Sequence, residues 1–426
     1  MATTYLNKTL GTPTNNKIWT FSAWVKRSRV NYGNYPNIFC ANTLRDCIRF
    51  LNGDNIQVFF NEAGSGNLET RAKFRDVNAW YHIVVAVDTT QATSSNRVKI
   101  YVNGEQITSF ATESYPAQNY TNFINSAIEH RIGKDFNYTE YFDGYMSHIH
   151  FIDGTQYQAS DFGETDSTTG EWKIKTSPTG INYGNNGFFI LKDSNSVTDQ
   201  SGNSNNWTVA AGTLTNSEDC PSNVFCTMNP LSLTSGIELK FGNTRVRKDT
   251  SGNSHSLGTI AFGNGKYYFE GYRHGGGNDG IGVCRASVDG SSDTSTTAGR
   301  VLYYEDGTIF CEGLSDQSNI STGITYGDTD IISVSFDTEN GILKFYKNDT
   351  LVTNSTITNS SFTNANDIWV PHTYQTNGGE WRLNFGNGYF GTTAVSSAGT
   401  NASGNGIFEY DVPTGFTALS TKGLNL

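Results

Sequence analysis

The sequence predicts an all-β protein built as two β-sandwich domains that a turn-rich segment joins. The first of three observations behind this prediction is composition: 16% of the 426 residues are charged, 13% are aromatic and 45 are glycine, which is typical of short strands and tight turns. The second is that apolar and polar residues alternate with the period of a strand along much of the chain. The third is that Asn-Gly and Asp-Gly pairs separate alternating stretches, as they do in β-hairpins.

Residues 1–165 form the first predicted domain. Apolar and small polar residues alternate from Trp19 to Val25, which predicts a strand with one buried face. The stretch 80–87 (WYHIVVAV) is apolar on both faces, as a central strand of a two-layer sandwich should be. The stretch 142–154 predicts a last strong strand.

A hairpin is predicted in the middle of this domain. Arg97–Val102 alternates cleanly and then meets Asn103-Gly104, a pair that readily takes positive φ in a type I′ turn. The chain is expected to return as a strand over Gln106–Phe110.

Three further segments complete the predicted organisation. Residues 166–235 form a turn-rich connecting segment with short strands, residues 236–390 a second sandwich, and residues 391–426 a C-terminal tail. In the second sandwich the alternating residues 332–336 lead through Asn340-Gly341 into Leu343 and Phe345, which predicts another hairpin.

Both predicted domains resemble known families. The pieces WTFSAWVKRS, NAWYHIVVAVDTT, RVKIYVNGEQITSF and YFDGYMSHIHFIDG resemble a laminin-G / concanavalin A-like sandwich over about the first 160 residues. The pieces GKYYFE, DGIGV, YYEDGTIF, GDTDIISVSFDTENGILKFYKND and WRLNFGN resemble a SPRY domain. The second series departs from its family at Asn348-Asp349, where Asn-Gly is usual; aspartate still adopts such a turn.

The search for catalytic residues ends with none named. A glucanase on this fold needs Glu-x-Asp-x-Glu or Glu-x-Asp-x-x-Glu, so that two carboxylates flank the sugar bond. Glu164-Thr-Asp166 lacks the third acid and is expected to be a solvated turn. His274-Gly-Gly-Gly277 matches the oxyanion loop of lipases, but no Gly-x-Ser-x-Gly elbow accompanies it, so a glycine turn is expected.

No cofactor is predicted, and no cofactor-binding or metal-binding residue is named. His148 and His150 are expected to share one side of a strand, but the sequence offers no third ligand nearby. Calcium is the alternative that the resemblance implies, since laminin-G-like sandwiches often carry it at a loop rim. The basic runs Lys26-Arg27-Ser-Arg29 and Arg245-Val-Arg247-Lys248 are expected to be solvated strand ends. Exposed aromatic rings are the remaining candidates for ligand binding, and the sequence leaves the individual residues open.

Charge and cysteine usage narrow the class of protein. The net charge of -11 weighs against nucleic-acid binding. The start of the chain has no apolar signal segment, and no apolar stretch is long enough for membrane insertion. The six cysteines are spread along the whole chain without Cys-x-x-Cys, which predicts free, mostly buried thiols; a Cys220–Cys226 bridge is the alternative.

The two domain types together resemble a family of bacteriophage virion structural proteins of the marine, cyanophage type. TGEWK at 169–173, YGNNGF at 183–188 and CTMNPL at 226–231 extend this resemblance across nearly the whole chain. It implies a non-enzymatic protein that is made in the host cytoplasm and placed on the outer surface of the virion. A knob-like capsid decoration protein presenting lectin-like binding modules is preferred, because the chain has neither heptads nor collagen-like runs for a long shaft.

The alternatives are a tail fibre or receptor-binding adhesin that recognises host-surface glycans and, third, a glycan-degrading enzyme. The expected partners are the major capsid protein or other virion proteins, with host-surface glycans as ligands. Nucleic acid and membrane insertion are not expected, and a homo-oligomer stays open.

Overall fold

The computed structural model describes residues 3–31, 33, 35–41, 46–60, 66–137, 139–287, 299–314 and 317–425. The chain divides into two compact units, Met1–Asn216 and Ser217–Leu426. In each unit two large sheets contribute side chains to one apolar core between them. The predicted fold class, all-β with two β-sandwiches, is therefore confirmed. No helix in the described part of the chain has the length and apolarity that a membrane span requires.

The first unit contains two large antiparallel sheets. Its strands are β1 (Tyr5–Thr9), β2 (Ile18–Arg27), β3 (Asn37–Ala41), β4 (Asp46–Phe50), β5 (Ile56–Phe59), β6 (Asn67–Thr70), β7 (Trp80–Asp88), β8 (Val98–Val102), β9 (Glu105–Gln106), β10 (Phe110–Ser114), β11 (Glu129–Ile132), β12 (Gly144–Asp153), β13 (Gly163–Thr165), β14 (Trp172–Ile174), β15 (Phe188–Ile190) and β16 (Thr208–Ala211). The eight-stranded sheet has the order β10-β6-β5-β4-β3-β11-β1-β16, and the six-stranded sheet has the order β15-β12-β2-β7-β8-β9. Short 3-10 helices lie at Ser94–Asn96 and Ala159–Asp161.

Aromatic rings from both sheets meet in the core of this unit. Phe21 on β2 stacks on Phe39 on β3, with the ring centroids 4.9 Å apart. Strand β7 is buried along its whole length between β2 and β8, as its doubly apolar sequence predicts. Burial of such large side chains from water supplies most of the favourable free energy of folding.

A segment of the chain itself covers the outer face of the six-stranded sheet. We call residues 155–183 the first cover; it contains the 3-10 helix Ala159–Asp161 and the hairpin of β13 and β14. The sheet and the first cover form a second, smaller apolar cluster of Val84, Ala86, Tyr101, Ile152, Tyr157, Ala159, Phe162, Trp172, Ile181 and Tyr183. The sheet residues of this cluster are therefore buried beneath the first cover.

The second unit repeats the two-sheet plan. Its strands are β17 (Met228–Leu233), β18 (Ile237–Lys240), β19 (Arg245–Lys248), β20 (Asn253–Gly258), β21 (Lys266–His274), β22 (Gly280–Arg285), β23 (Arg300–Tyr304), β24 (Thr308–Glu312), β25 (Ile320–Ser321), β26 (Ile331–Asp337), β27 (Ile342–Lys347), β28 (Thr350–Leu351), β29 (Ile357–Thr358), β30 (Trp369–Thr376), β31 (Glu380–Asn384), β32 (Tyr389–Phe390), β33 (Thr393–Ala394) and β34 (Thr417–Ala418). A seven-stranded sheet has the order β17-β20-β30-β22-β23-β24-β25. The nine-stranded sheet has the path β18-β19-β31-β21-β26-β27-β28, with β29 beside β27 and β34 beside β21. Short 3-10 helices lie at Ser360–Thr363 and Gly423–Asn425.

The C-terminal segment covers the outer face of the nine-stranded sheet. We call residues 396–420 the second cover. Its Phe408, Val412 and Ala418 pack with Tyr268 of β21 and with Phe225. Strand β34 also pairs in parallel with β21. The predicted tail is thus part of the folded unit.

The predicted connecting segment, 166–235, is distributed between the two units. Strand β15 pairs with β12, and β16 pairs with β1, so both belong to the sheets of the first unit. Strand β17 pairs with β20 and belongs to the second unit.

Two turns bear directly on the predictions. Asn103 and Gly104 have φ values of 49° and 87°, as a type I′ turn requires. The returning strand was predicted too long: β9 ends at Gln106, and Phe110 begins β10 in the other sheet. Asn348 and Asp349 both adopt positive φ, 45° and 70°, so aspartate does adopt the turn conformation expected of it.

Candidate functional site

The outer face of the eight-stranded sheet carries polar and aromatic side chains. Ile48 on β4, Val58 on β5 and Leu68 on β6 point into the core. Because neighbouring side chains on a strand point to opposite faces, Arg49 and Gln57 point outward. We call this outer face the polar face.

Two rows of side chains cross the polar face, since residues paired across strands share a face. The first row, from β1 to β10, is Asn7, Arg131, Cys40, Cys47, Phe59, Asn67 and Ser114. The second row, from β4 to β10, is Arg49, Gln57, Glu69 and Thr112. Together they place hydrogen-bonding groups and aromatic rings on one surface.

Hydrogen bonds link the second row. Arg49 donates from Nε to Oε1 of Gln57 at 2.7 Å. Gln57 donates from Nε2 to Oε1 of Glu69 at 3.1 Å and to Oδ1 of Asn67 at 2.9 Å. Thr112 donates from Oγ1 to Oε2 of Glu69 at 3.0 Å. These bonds hold the side chains in fixed positions, which reduces the entropy lost when a ligand binds.

Aromatic rings flank Arg49. Its guanidinium carbon lies 4.7 Å from the ring centroid of Tyr35 and 5.6 Å from that of Phe59. The Tyr35 side chain is 39% exposed, so one of its surfaces is available for stacking. A cation against an aromatic face is a favourable contact that also orients the guanidinium.

A second group of cations and rings lies on the β1–β11 side of the polar face. Arg131 lies over the rings of Phe136 and Tyr5, at 3.9 Å and 5.2 Å from their centroids. Lys134 Nζ lies 5.0 Å from the Tyr5 ring and 5.2 Å from the Tyr141 ring. Arg131 also forms an ion pair with Glu129 at 2.9 Å, so its charge is already balanced.

Two cysteines occupy the middle of the first row. Cys40 and Cys47 are direct cross-strand partners, and they are 1% and 0% exposed. Burial, followed by the charges of neighbouring groups, raises the pKa of Cys40 well above its usual value. Neither cysteine forms a disulfide bond. A thiol held neutral in this way is a poor nucleophile.

A buried Ser–His pair lies behind the first cover, away from the polar face. Ser22 Oγ is 2.8 Å from Nε2 of His82, and the indole N–H of Trp172 donates to Nδ1 of His82 at 3.0 Å. Since an indole nitrogen only donates, Nδ1 accepts and the imidazole proton resides on Nε2. Burial lowers the pKa of His82 to about 3, so the ring is neutral. His82 therefore donates to Ser22 and cannot take its proton, which makes the pair structural.

The His274-Gly-Gly-Gly277 sequence forms a loop around a buried arginine in the second unit. Arg273 donates to the carbonyl oxygens of Gly275 and Gly277, and it contacts Glu305 at 2.9 Å and Asp279 at 3.3 Å. Burial raises the pKa of Asp279 to about 6, although Arg273 opposes this effect. The glycines thus supply carbonyl oxygens to an arginine, and the predicted glycine turn is observed.

His148 and His150 have no third metal ligand beside them in the part of the chain that the structure describes. A bulge with φ of 47° at His148 interrupts the strand alternation, so the two side chains have different environments. His150 Nδ1 is 2.9 Å from the Tyr183 hydroxyl, and its ring stacks on Phe189 at 3.8 Å. No cluster of three His, Cys, Asp or Glu side chains suited to a metal occurs among the described residues. Calcium stays an alternative that only the resemblance suggests.

The acidic pair at Glu164 and Asp166 lies at the hairpin of β13 and β14, as the predicted solvated turn. Lys173 Nζ reaches Glu164 at 3.5 Å and Asp166 at 3.2 Å. Hydrogen bonds from backbone N–H groups, first that of Thr169, lower the pKa of Asp166 to about 2. Both carboxylates thus have structural partners.

The prediction that both basic runs are solvated strand ends is wrong. Lys26 and Arg27 are 1% and 2% exposed, and Arg245 and Lys248 are 7% and 4% exposed. Arg27 contacts the buried carboxylate of Asp54 at 2.9 Å. The partners of these cations lie on other strands or in turns elsewhere in the chain, which explains why the local sequence gives no sign of their burial.

Sequence reasoning named none of the residues on the polar face. The available signal is the alternation of IQVF and NLET, which places Gln57, Phe59, Asn67 and Glu69 on one side of neighbouring strands. Reading that signal requires the strand order, in which β4, β5 and β6 are neighbours.

Comparison with known proteins gives a family match for the first unit. Residues 2–160 match a laminin G model described as the concanavalin A-like lectin/glucanases superfamily. This match agrees with the domain type that the sequence resembles there. It spans well under half of the 426 residues.

Solved structures similar to the chain include two SPRY domains. The SPRY domain of human HERC1 is 15% identical, with 37% of this chain and 96% of that chain covered and a TM-score of 0.29. The TRIM65 PSpry domain is 15% identical, with 37% and 91% covered and a TM-score of 0.30. Scores of this size support no conclusion about fold or function. A search of curated proteins found no significant match.

Proposed function

We propose that this protein is a non-catalytic binding protein of the virion surface: a knob-like capsid decoration protein that presents the polar face as a lectin-like surface. The polar face is the observation that carries the binding part of this proposal. Its hydrogen-bonded amide, hydroxyl and carboxylate groups lie beside aromatic rings, which is the combination that sugar hydroxyls and sugar ring faces require.

The arrangement of the covers supports the choice of this surface. The first cover closes the outer face of the six-stranded sheet with an apolar cluster. The outer face of the eight-stranded sheet instead carries polar and aromatic side chains, of which Arg49 and Gln57 are buried and Tyr35 is exposed. A polar row held by its own hydrogen bonds is suited to recognition without chemistry.

The virion part of the proposal rests on the resemblance of the sequence to bacteriophage structural proteins. On that basis the partners are the major capsid protein or other virion proteins, and the ligands are host-surface glycans. The protein is then made in the host cytoplasm and resides on the outer surface of the particle. The same polar face would serve a tail adhesin, so the position on the particle decides between the two roles.

Immunogold labelling of purified particles tests the location. The antibody is raised against this chain and is first shown to bind the folded protein; pre-immune serum is the control. Gold over the head is the expected result, whereas gold at the tail tip would favour the receptor-binding adhesin. Unlabelled particles would refute the virion assignment.

A glycan-degrading enzyme is the third candidate. Incubation with host polysaccharide followed by an assay for reducing ends tests it directly. We expect no release above that of heat-denatured protein, and a reproducible release would overturn the non-catalytic assignment.

A further inference from the structure

Arg49 on the polar face is a buried cation whose charge no carboxylate balances. The residue is 6% exposed, and its Nε donates to the neutral amide of Gln57. Its NH1 group is buried and makes no hydrogen bond. No carboxylate lies within ion-pair distance of its guanidinium in the described part of the chain.

The other buried arginines differ in this respect. Among the described residues, four arginines are less than a tenth exposed: Arg27, Arg49, Arg245 and Arg273. Arg27 contacts Asp54 at 2.9 Å, Arg245 contacts Glu380 at 2.6 Å, and Arg273 contacts Glu305 at 2.9 Å. Arg49 is thus the exception to a pattern that this protein otherwise follows.

An unbalanced buried charge is unfavourable for folding. Removing a guanidinium from water costs roughly several kcal/mol unless a nearby anion and further hydrogen bonds compensate for the lost hydration. The position of Arg49 is therefore better explained by a ligand than by stability.

We propose that Arg49 binds the oxoanion, a carboxylate or a sulfate, of an acidic saccharide on the polar face. A guanidinium fork with a buried donor to spare matches the two oxygens of such a group. This inference rests on the proposed lectin-like function and specifies its ligand class.

The surroundings of Arg49 favour a saccharide over an acidic peptide. The exposed ring of Tyr35 offers a stacking surface beside the guanidinium. Gln57, Asn67 and Thr112 add amide and hydroxyl groups to the same face, and of these Gln57 is itself buried. Glu69 is linked to Arg49 only through the Gln57 amide, so its carboxylate does not contact the guanidinium and leaves the NH1 group without an anionic partner.

Calorimetric titration of the full chain tests the inference. The probes are an oligogalacturonate, a sulfated tetrasaccharide from heparin, the neutral sugar maltotetraose, and a hexaglutamate peptide. The variants are Arg49→Met and, as a matched loss of one positive charge, Lys99→Met on β8 of the opposite sheet. Arg49→Gln replaces the methionine variant if that variant does not fold.

We expect at least one acidic saccharide to bind, and the Arg49→Met change to weaken it by about 30-fold or more, as for truncation of one partner of a buried charge pair. Binding by the Lys99→Met protein should match wild type. The thermal midpoint of Arg49→Met should be unchanged or higher, because the unbalanced charge is gone. Which acidic probe binds identifies the oxoanion as carboxylate or sulfate.

Three results would overturn the inference. They are equal affinity of wild type and Arg49→Met for the acidic saccharide, no binding of either acidic saccharide at millimolar concentration, and Arg49-dependent binding of hexaglutamate as tight as that of the saccharide. Binding of maltotetraose alone would overturn the inference while leaving the lectin-like function in place.

Discussion

Glu270 of β21 fastens the second cover to the nine-stranded sheet. Its side chain is 0% exposed and accepts hydrogen bonds from the backbone N–H groups of Glu409 and Tyr410 at 2.9 Å and 3.0 Å. Tyr268 and Asn384 donate to the same carboxylate at 3.1 Å and 3.3 Å. We therefore consider the change Glu270→Gln, which keeps the shape of the side chain and removes its titration.

Burial raises the pKa of Glu270 from 4.5 to about 7, although the four donors oppose this shift. Between these two values the folded protein holds a proton that the unfolded chain has lost, so the free energy of unfolding falls as pH rises. At about 1.4 kcal/mol per pKa unit, the contribution that is fully present below pH 4.5 decreases by about 3 kcal/mol by pH 8. Glutamine has no proton to lose, so the variant should lack this component.

Urea unfolding between pH 5 and pH 8, followed by pulsed thiol labelling and mass spectrometry, measures the effect in each unit separately. The buried Cys226, Cys284 and Cys311 report on the second unit, while Cys40 and Cys47 report on the first unit as an internal control. We expect the wild-type second unit to lose about 3 kcal/mol more than the variant over this range. Parallel pH profiles of the two proteins would refute the assignment of this titration to Glu270.

Three further predictions concern other parts of the chain. Asp153→Asn should destabilise the first unit by about 2 kcal/mol in urea unfolding. The buried carboxylate of Asp153 accepts four hydrogen bonds from N–H groups, and the amide of asparagine would point its own N–H groups at some of these donors. An unchanged unfolding midpoint would contradict this prediction. Asp349→Gly should stabilise the second unit by about 0.5 to 1 kcal/mol, since glycine tolerates its φ of 70°, and a lower thermal midpoint would argue against the strain. A fluorophosphonate should leave Ser22 of the native protein unmodified in mass spectra, because His82 donates a hydrogen bond to the Ser22 hydroxyl and cannot accept its proton. Labelling of the wild type that is absent from Ser22→Ala would show that the tautomer assigned to His82 is wrong.

The local patterns of the sequence were sufficient for the fold class and for several turns. The doubly apolar stretch at Trp80–Asp88 became the buried central strand β7 because both of its faces had to be covered. The pair Asn103-Gly104 formed a type I′ turn because both residues tolerate positive φ. Such features depend on a few adjacent residues and can therefore be predicted from them.

The polar face depends on pairings between distant residues and could not be predicted in the same way. Cys40 on β3 has Arg131 on β11 as a neighbour, although the two lie far apart in the sequence. Likewise Arg27 is buried because Asp54, 27 positions later, balances its charge. The sequence shows the charges of Arg27 and Arg49 alike, and the difference between a balanced and an unbalanced cation emerges only when the strands assemble.

The way β1 and β16 close the first unit has a consequence for folding kinetics. Strand β16 is the outer neighbour of β1, and the Thr4 hydroxyl donates to the Thr213 carbonyl 209 positions away. During synthesis β1 leaves the ribosome early. Its outer edge stays unpaired until β16 has been synthesised. Contacts of such long sequence separation slow folding, and unpaired strand edges favour aggregation in the interval. The sheet that carries the polar face is thus completed late, and nascent chains that stop before β16 should be the forms that chaperones retain.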